Sequence, residues 1–358
     1  MATYGSGTTP HQPLHCIIPP DLLARLVGEG ETEQVRAAAL RTLQLDHSFR
    51  LARAETAARS GGPTARRITF GRQGGRPQRT IYDQQQQQSQ TLGTRVRGEG
   101  EQATGDPAVD EAYDGFGMTY DFYWRVFQRD SIDGQGMPLH GAVHYAEHYD
   151  NAFWDGAEMF FGDGDGQIFT RTTAGIEVIG HELTHGVTQH EANLTYSGQS
   201  GALNESLSDV MGSLVKQFRL SQKASDADWL IGADIVGPAL QPALRSMKAP
   251  GTANPHDNQP ADMNHYVHTA DDNGGVHRNS GIPNRAFYLV ADALGGFAWE
   301  VPGAIWYTSL LDPQLPPNAE FRDFARITLR RSRQIYGPTS DEAQAVQNGW
   351  DAVKVPIA

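Results

Sequence analysis

Leu22, Leu23, Leu26 and Val27 recur at helical spacing directly after Pro19-Pro20. Val35, Ala38, Ala39, Leu40 and Leu43 predict a second helix behind the first. The stretch 53–67, RAETAARSGGPTARR, carries no such face. Its small, polar, Arg- and Gly-rich make-up predicts a linker and a cleavage zone. From 68 to 105 the period shortens: ITF, RTIYD and GTRVRGEGE predict strands, with Gln84–Gln88 in a loop. Residues 106–127 predict a helix, with Asp106 as N-cap and Pro107 at the first helical position. HGAVHY (140–145) and EMFFGDGDGQIF (158–169) predict strands around turns. Beyond Ile176 the pattern is helical. Leu203, Leu207, Val210, Met211, Leu214, Val215 and Phe218 form a wide apolar face over 202–218, and 282–295, 304–311, 320–335 and 340–353 predict further helices. The plan is α+β: a β-rich half, then a helical half.

Charge divides the chain. Residues 1–80 hold 11 Arg against 6 Asp and Glu, a formal +5; the remainder holds 18 basic and 36 acidic residues, a formal −18. The net −13 argues against nucleic acid as a partner, and a basic leader on an acidic body predicts that the two bind each other. The single cysteine, Cys16, excludes an intramolecular disulfide and a cysteine-ligated zinc. No apolar run is long enough to span a membrane, and the N-terminus does not read as a secretory signal peptide.

Candidate chemistry sits where the two halves meet. In IGHELTHGVTQHE, His181 and His185 are four residues apart and share one face of a helix, a spacing suited to one zinc ion. Glu182 beside them is placed to take a proton from a water. A catalytic zinc needs a third protein ligand. Thr188 and Glu191 stand where a metzincin needs Gly and His, and the inverted motif is absent. A glutamate from a second helix remains: Glu205 in NESLSD, with Asp209 one turn on, placed to orient a ligand histidine.

HELTHGVTQ and NESLSD resemble the thermolysin family of zinc endopeptidases, and NAFWDG (151–156), FFGDGDGQIF (160–169) and DNGGVHRNSGIPN (272–284) resemble family blocks in family order. The resemblance runs from about 68 to 353. It implies a two-lobed α+β metallopeptidase with a β-rich N-terminal lobe (59–198, including the HExxH helix) and a helical C-terminal lobe (199–358). His181, His185 and Glu205 then hold zinc and Glu182 is the general base. Tyr196 and His277 stabilise the oxyanion, and Asp272 orients His277. Asn151 and Ala152 bind the substrate backbone, and Arg245 holds a substrate carbonyl. Phe169, Val178, Ile231, Ile235 and Leu244 line the pocket for the residue after the scissile bond, which implies cleavage on the amino side of hydrophobic residues. Thr172 stands where an aliphatic residue is common and implies a more polar or wider pocket.

The chain departs from the family in two places. Glu177 and Asp228 match ligands of a double calcium site, but Lys216, Leu230 and Ala233 replace other carboxylates. The double site is therefore expected to be absent, with Lys216 pairing to Glu177 or Asp228. GDGDG is no EF-hand, because position 12 counted from Asp163 is Ala174. The short leader with IIPPDLL resembles the protealysin-like branch. This implies a propeptide (1–58, with its cleavage zone) that docks on the catalytic body, inhibits it and is removed by self-cleavage within 48–66. Cys16 is read as a small buried thiol, with a zinc-bound thiolate as the alternative. A monomer exported by a non-classical route is expected. A non-catalytic binding protein on the same fold is the alternative function, and Glu182, Tyr196 and His277 together weigh against it.

Overall fold

A computed structural model describes residues 15–59, 75–89 and 91–357, with 49–59 given by backbone only. His15–Cys16 is a short strand, β1. Pro20 opens α1 (Pro20–Glu29), where a missing N–H costs nothing. α2 spans Glu33–Arg59, so the first part of the expected linker, 53–59, is helical. RAETAAR consists mostly of strong helix formers, and the breakers Gly61, Gly62 and Pro63 come later. Val35 and Ala39 are buried with Leu22, Leu23 and Leu26. Leu40, expected on that face, is 45% exposed.

β2 (Arg79–Asp83) and β3 (Thr94–Gly98) form an antiparallel pair, while ITF at 68–70 lies outside the described residues. α3 spans Pro107–Phe127, and the Asp106 side chain caps it by accepting from the amides of Ala108 and Val109. β4 (Leu139–Val143) runs parallel to β2, and β6 (Met159–Phe161) parallel to β4. β5 (Ala152–Trp154) lies antiparallel to β6. The sheet order is β1-β5-β6-β4-β2-β3, so the leader supplies the strand beyond β5. The NAFW segment contributes too few residues to β5 for a period to show.

α4 (Ile176–Glu191) and α5 (Gly198–Leu220) pack side by side. A small ribbon follows, β7 (Leu230–Ile231) with β8 (Arg245–Ser246). The remaining helices are α6 (Asp272–Asn279), α7 (Gly281–Leu294), α8 (Val301–Leu310), α9 (Phe321–Tyr336) and α10 (Asp341–Ala352). Trp306 of α8 stacks on Trp350 of α10, whose indole N–H donates to Thr328 Oγ1 at 2.9 Å. This helical half buttresses α5 from behind.

Candidate active site

Two glycines let α4 and α5 approach. A Cβ on Gly212 would sit 2.3 Å from the Glu177 carbonyl oxygen, and one on Gly180 would sit 3.0 Å from the Gly212 Cα. Helix-interior glycine is unfavourable, yet here it brings one helical face onto the other. His181 and His185 on α4 meet Glu205 and Asp209 on α5, all of them buried. The Nε2 atoms of His181 and His185 lie 3.0 Å apart, and the Glu205 carboxylate is 3.4 Å from the first and 3.5 Å from the second. Both outer nitrogens are tied down. His181 Nδ1 bonds Asp209 at 2.8 Å, while His185 Nδ1 meets Asn204 at 2.9 Å and Ser208 at 3.1 Å.

Burial pulls the His185 imidazole down to about 3, against the opposing pull of Glu205, so it is neutral and its lone pair is available. Burial would raise the Glu205 carboxyl, but the His277, His185 and His181 rings outweigh it and hold it well below the usual range. The Glu182 carboxyl is pushed well up by burial, then by Cys16 and Glu205. Neither Glu182 oxygen has a hydrogen-bond partner, nor has Glu205 Oε2. Two imidazole nitrogens and one carboxylate converging within 4.8 Å, beside an unpartnered buried carboxylate, fit a zinc site with an open position.

A tight turn delivers the next group. Asp272, Asn273, Gly274 and Gly275 all have positive φ, between 51° and 89°. Asp, Asn and Gly are the residues that tolerate this region. The turn folds Asp272 back on His277, bonding Nδ1 at 2.6 Å and the backbone amide at 2.9 Å. The Tyr196 hydroxyl donates to Glu205 and lies 3.3 Å from His277 Nε2. Arg245 forks onto Asp209 at 2.8 and 2.7 Å, and Asn284 donates to the same carboxylate at 2.8 Å.

The leader runs through this centre as a strand. His15 and Cys16 pair with Trp154 and Phe153. His277 Nε2 donates to the Cys16 carbonyl at 2.9 Å, and Arg245 Nη1 to the Ile17 carbonyl at 3.0 Å. The Asn151 amide grips Ile18 on both sides, at 3.0 and 3.4 Å. The His15 ring stacks on His185, with centroids 4.5 Å apart. The Cys16 side chain is buried among Tyr145, Tyr149, Phe153 and Phe160, and it is not one of the groups that converge with His181, His185 and Glu205. It is a free, buried thiol, and its carbonyl bonds His277. Behind it, the buried Asp46 of α2 accepts from the Tyr149 hydroxyl and from Asn151 Nδ2, the latter at 3.1 Å.

The comparisons with known proteins agree with this geometry. Residues 28–189 match the family described as thermolysin metallopeptidase, catalytic domain, and residues 192–355 match its alpha-helical domain. The chain belongs to the thermolysin family of metallopeptidases. It is 49% identical to the extracellular metalloprotease of Pectobacterium carotovorum, over 97% of this chain and 98% of that protein. It is also 49% identical to the extracellular minor metalloprotease of Serratia marcescens, over 54% of this chain and 57% of that one. The solved precursor of protealysin, from Serratia proteamaculans, is 49% identical and superimposes with a TM-score of 0.85, covering 96% of this chain and all of that one. This chain is thus a zinc metalloendopeptidase in precursor form, with His181, His185 and Glu205 as the zinc triad.

Within this thermolysin-family frame, Phe169, Val178, Ile231, Ile235 and Leu244 are all buried. Leu244 N bonds the Ile231 carbonyl at 3.0 Å, and Ala152 lies beside Asn151 on β5. The Thr172 hydroxyl donates to the Gly162 carbonyl at 3.1 Å, so it adds no free polar group to a pocket. Lys216 reaches Asp228 at 3.0 Å and Glu177 at 3.9 Å, pairing with both expected carboxylates.

Among the described residues, ion pairs between leader and body run in both directions. Arg41 meets Glu147 at 3.5 Å in an exposed pair. The better-buried ion pair across the boundary runs the other way, from Asp21 of the leader to Arg278 of the body at 2.7 Å. Asn204, Ser208 and Asn284 escaped the sequence reading. The first two carry a legible signal, since 204 and 208 repeat the four-residue step of 205 and 209 on the same helix.

Proposed function

We propose that the chain hydrolyses peptide bonds on the amino side of hydrophobic residues, and that it is made as a self-inhibited precursor which removes its own leader. The observation that carries this reading is the buried Glu182 carboxylate, unpartnered, beside the His181–His185–Glu205 triad. Bound zinc would polarise the scissile carbonyl and acidify a water. Glu182 accepts that water's proton and returns it to the leaving amine. His277, held by Asp272, and Tyr196 donate to the developing oxyanion. Arg245 and Asn151 position the backbone through the groups they already hold on Ile17 and Ile18. Asp209 keeps His181 and Arg245 in place. The apolar side chains of Phe169, Val178, Ile231, Ile235 and Leu244 support the hydrophobic preference.

Self-inhibition is supported by the leader strand on β5, which fills the line a substrate would take. The removal window at 48–66 runs from the helical end of α2 into residues outside the description. Action outside the cell is supported by the relative named an extracellular metalloprotease. Weak calcium dependence is supported by the Lys216 ammonium between Glu177 and Asp228.

The test uses the full chain, stripped of metal and reloaded with zinc. Quenched peptides with Leu or Phe after the cut bond should be hydrolysed, the matching Asp peptide much more slowly, and Glu182→Ala should hydrolyse none. If the zinc-loaded wild type still leaves every peptide intact once its leader has been removed, a non-catalytic binding protein is the better reading.

A further inference from the structure

The leader crosses the site with a direction. His277 holds the Cys16 carbonyl, so the bond a substrate presents for attack corresponds to Cys16–Ile17. Everything from Ile17 onward lies on the leaving-group side, with the Ile17 carbonyl on Arg245 and Ile18 on Asn151.

Beyond Pro19 and Pro20 the leader reaches Asp21, whose Oδ2 accepts from Arg278 Nε at 2.8 Å, Arg278 Nη2 at 2.7 Å and Asn258 Nδ2 at 3.0 Å. Arg25, one helical turn away in the leader itself, stands at 3.5 Å. The Asp21 side chain is only 12% exposed. Burial would raise its carboxyl, but the bonds from Asn258 and Arg278 prevail and lower it.

Both receiving groups belong to the catalytic body and to the frame that holds His277. Arg278 is the next residue on α6. Asn258 precedes Gln259, whose side-chain amide donates to the His277 carbonyl at 2.7 Å. Among the described residues, Arg278 forms its one ion pair with Asp21. Asp257, the acidic residue lining the same cleft, spends its carboxylate on the backbone amides of Gly251, Ala253 and Gln259. When the leader departs, Asp21 and Arg25 leave with it. A guanidinium and an amide remain in a cleft shared with Leu244, Arg245 and His277.

We propose that Arg278 and Asn258 form a carboxylate subsite on the leaving-group side of the scissile bond, filled in the precursor by Asp21. It takes an acidic side chain of the substrate, or the substrate's own C-terminal carboxylate. The leader turns helical at Pro20, where each residue advances about 1.5 Å, against about 3.3 Å in an extended chain. An extended substrate therefore reaches the subsite about three to five residues past the cut bond. The proposal rests on the peptidase reading and on release of the leader.

The test uses the full chain, incubated with zinc until hydrolysis of a neutral reference peptide is steady. Amidated peptides carry Asp or Asn at the third, fourth or fifth position after the cut. A shorter pair ends at the third position as free acid or amide, which separates side-chain from terminal carboxylate. We expect kcat/KM to favour the anionic member by about fivefold to tenfold at one of these positions. Arg278→Gln should bring that ratio to about one, and Arg278→Glu should turn the preference toward Lys. Ratios near one for all wild-type pairs, or a preference that survives Arg278→Gln, overturn the subsite and leave the peptidase reading standing. Failure to hydrolyse the neutral reference removes the peptidase reading, and the subsite with it.

Discussion

The metal centre and the leader-filled cleft lie side by side and are held by different kinds of bond. In the centre, side chain meets side chain: His181 with Asp209, His185 with Asn204 and Ser208, Asp209 with Arg245 and Asn284. In the cleft, body side chains grip the main chain: the Cys16 carbonyl, the Ile17 carbonyl, and both peptide groups of Ile18. The first arrangement demands particular residues. The second demands only an extended chain, so a leader and a substrate can take the same place in turn. Specificity for the leader then has to come from outside the strand, through Asp21 on Arg278 and Asp46 beneath Asn151.

That contrast predicts where damage will spread. Asp209→Ala should have the largest effect, because it strands the buried Arg245 charge and frees His181. It should cost about 3–5 kcal/mol of stability and about 10–100-fold in zinc affinity, read by denaturant unfolding and by competition with a chelator. Unchanged zinc affinity would mean that Asp209 does not orient the ligand. Asp46→Ala should act on the other region alone. Losing the buried partner of Tyr149 and Asn151 should weaken leader docking by about 1–3 kcal/mol, seen as faster proteolytic loss of the leader in a Glu182→Ala background, with zinc affinity retained. Loss of zinc affinity there would show that the regions are not separable.

The smallest effect concerns a third place, away from both. His144 is raised to about 9, first by its bond to Asp163 at 2.9 Å, against burial, and then by Asp106 at 3.1 Å. A raised histidine stabilises fully below its ordinary value near 6.5, and the gain is lost as pH climbs through about 9. The site is partly open to solvent, so its worth is under about 1 kcal/mol. Wild type and His144→Asn should differ in Tm at pH 6 and converge by pH 10. A gap that persists at pH 10 contradicts this.

The same contrast explains what could be read from sequence. The triad and Asp209 were legible because the helical repeat fixes which side chains share a face. Asp106 as a cap and the apolar face of α5 were legible for the same local reason. β1 and β5 were not, because strands of two or three residues show no period and the pairing spans some 137 residues, from Cys16 to Phe153. His15 carries no local signal for its place on His185. Leu40 misled because a helix of alanines and leucines offers more apolar positions than its neighbour covers. The 53–59 stretch misled because arginine and alanine signal a solvated helix as readily as a linker. The roles of Tyr196, His277 and Arg245 came only through family resemblance, since nothing local marks them.

The most direct measurement is intact mass with N-terminal sequencing of the zinc-loaded full chain, wild type beside Glu182→Ala. The account predicts that wild type loses the leader by a cut within 48–66 while the variant stays whole. If both chains stay whole, or if both shorten alike, the cleft does not process its own leader and the self-activating precursor is contradicted.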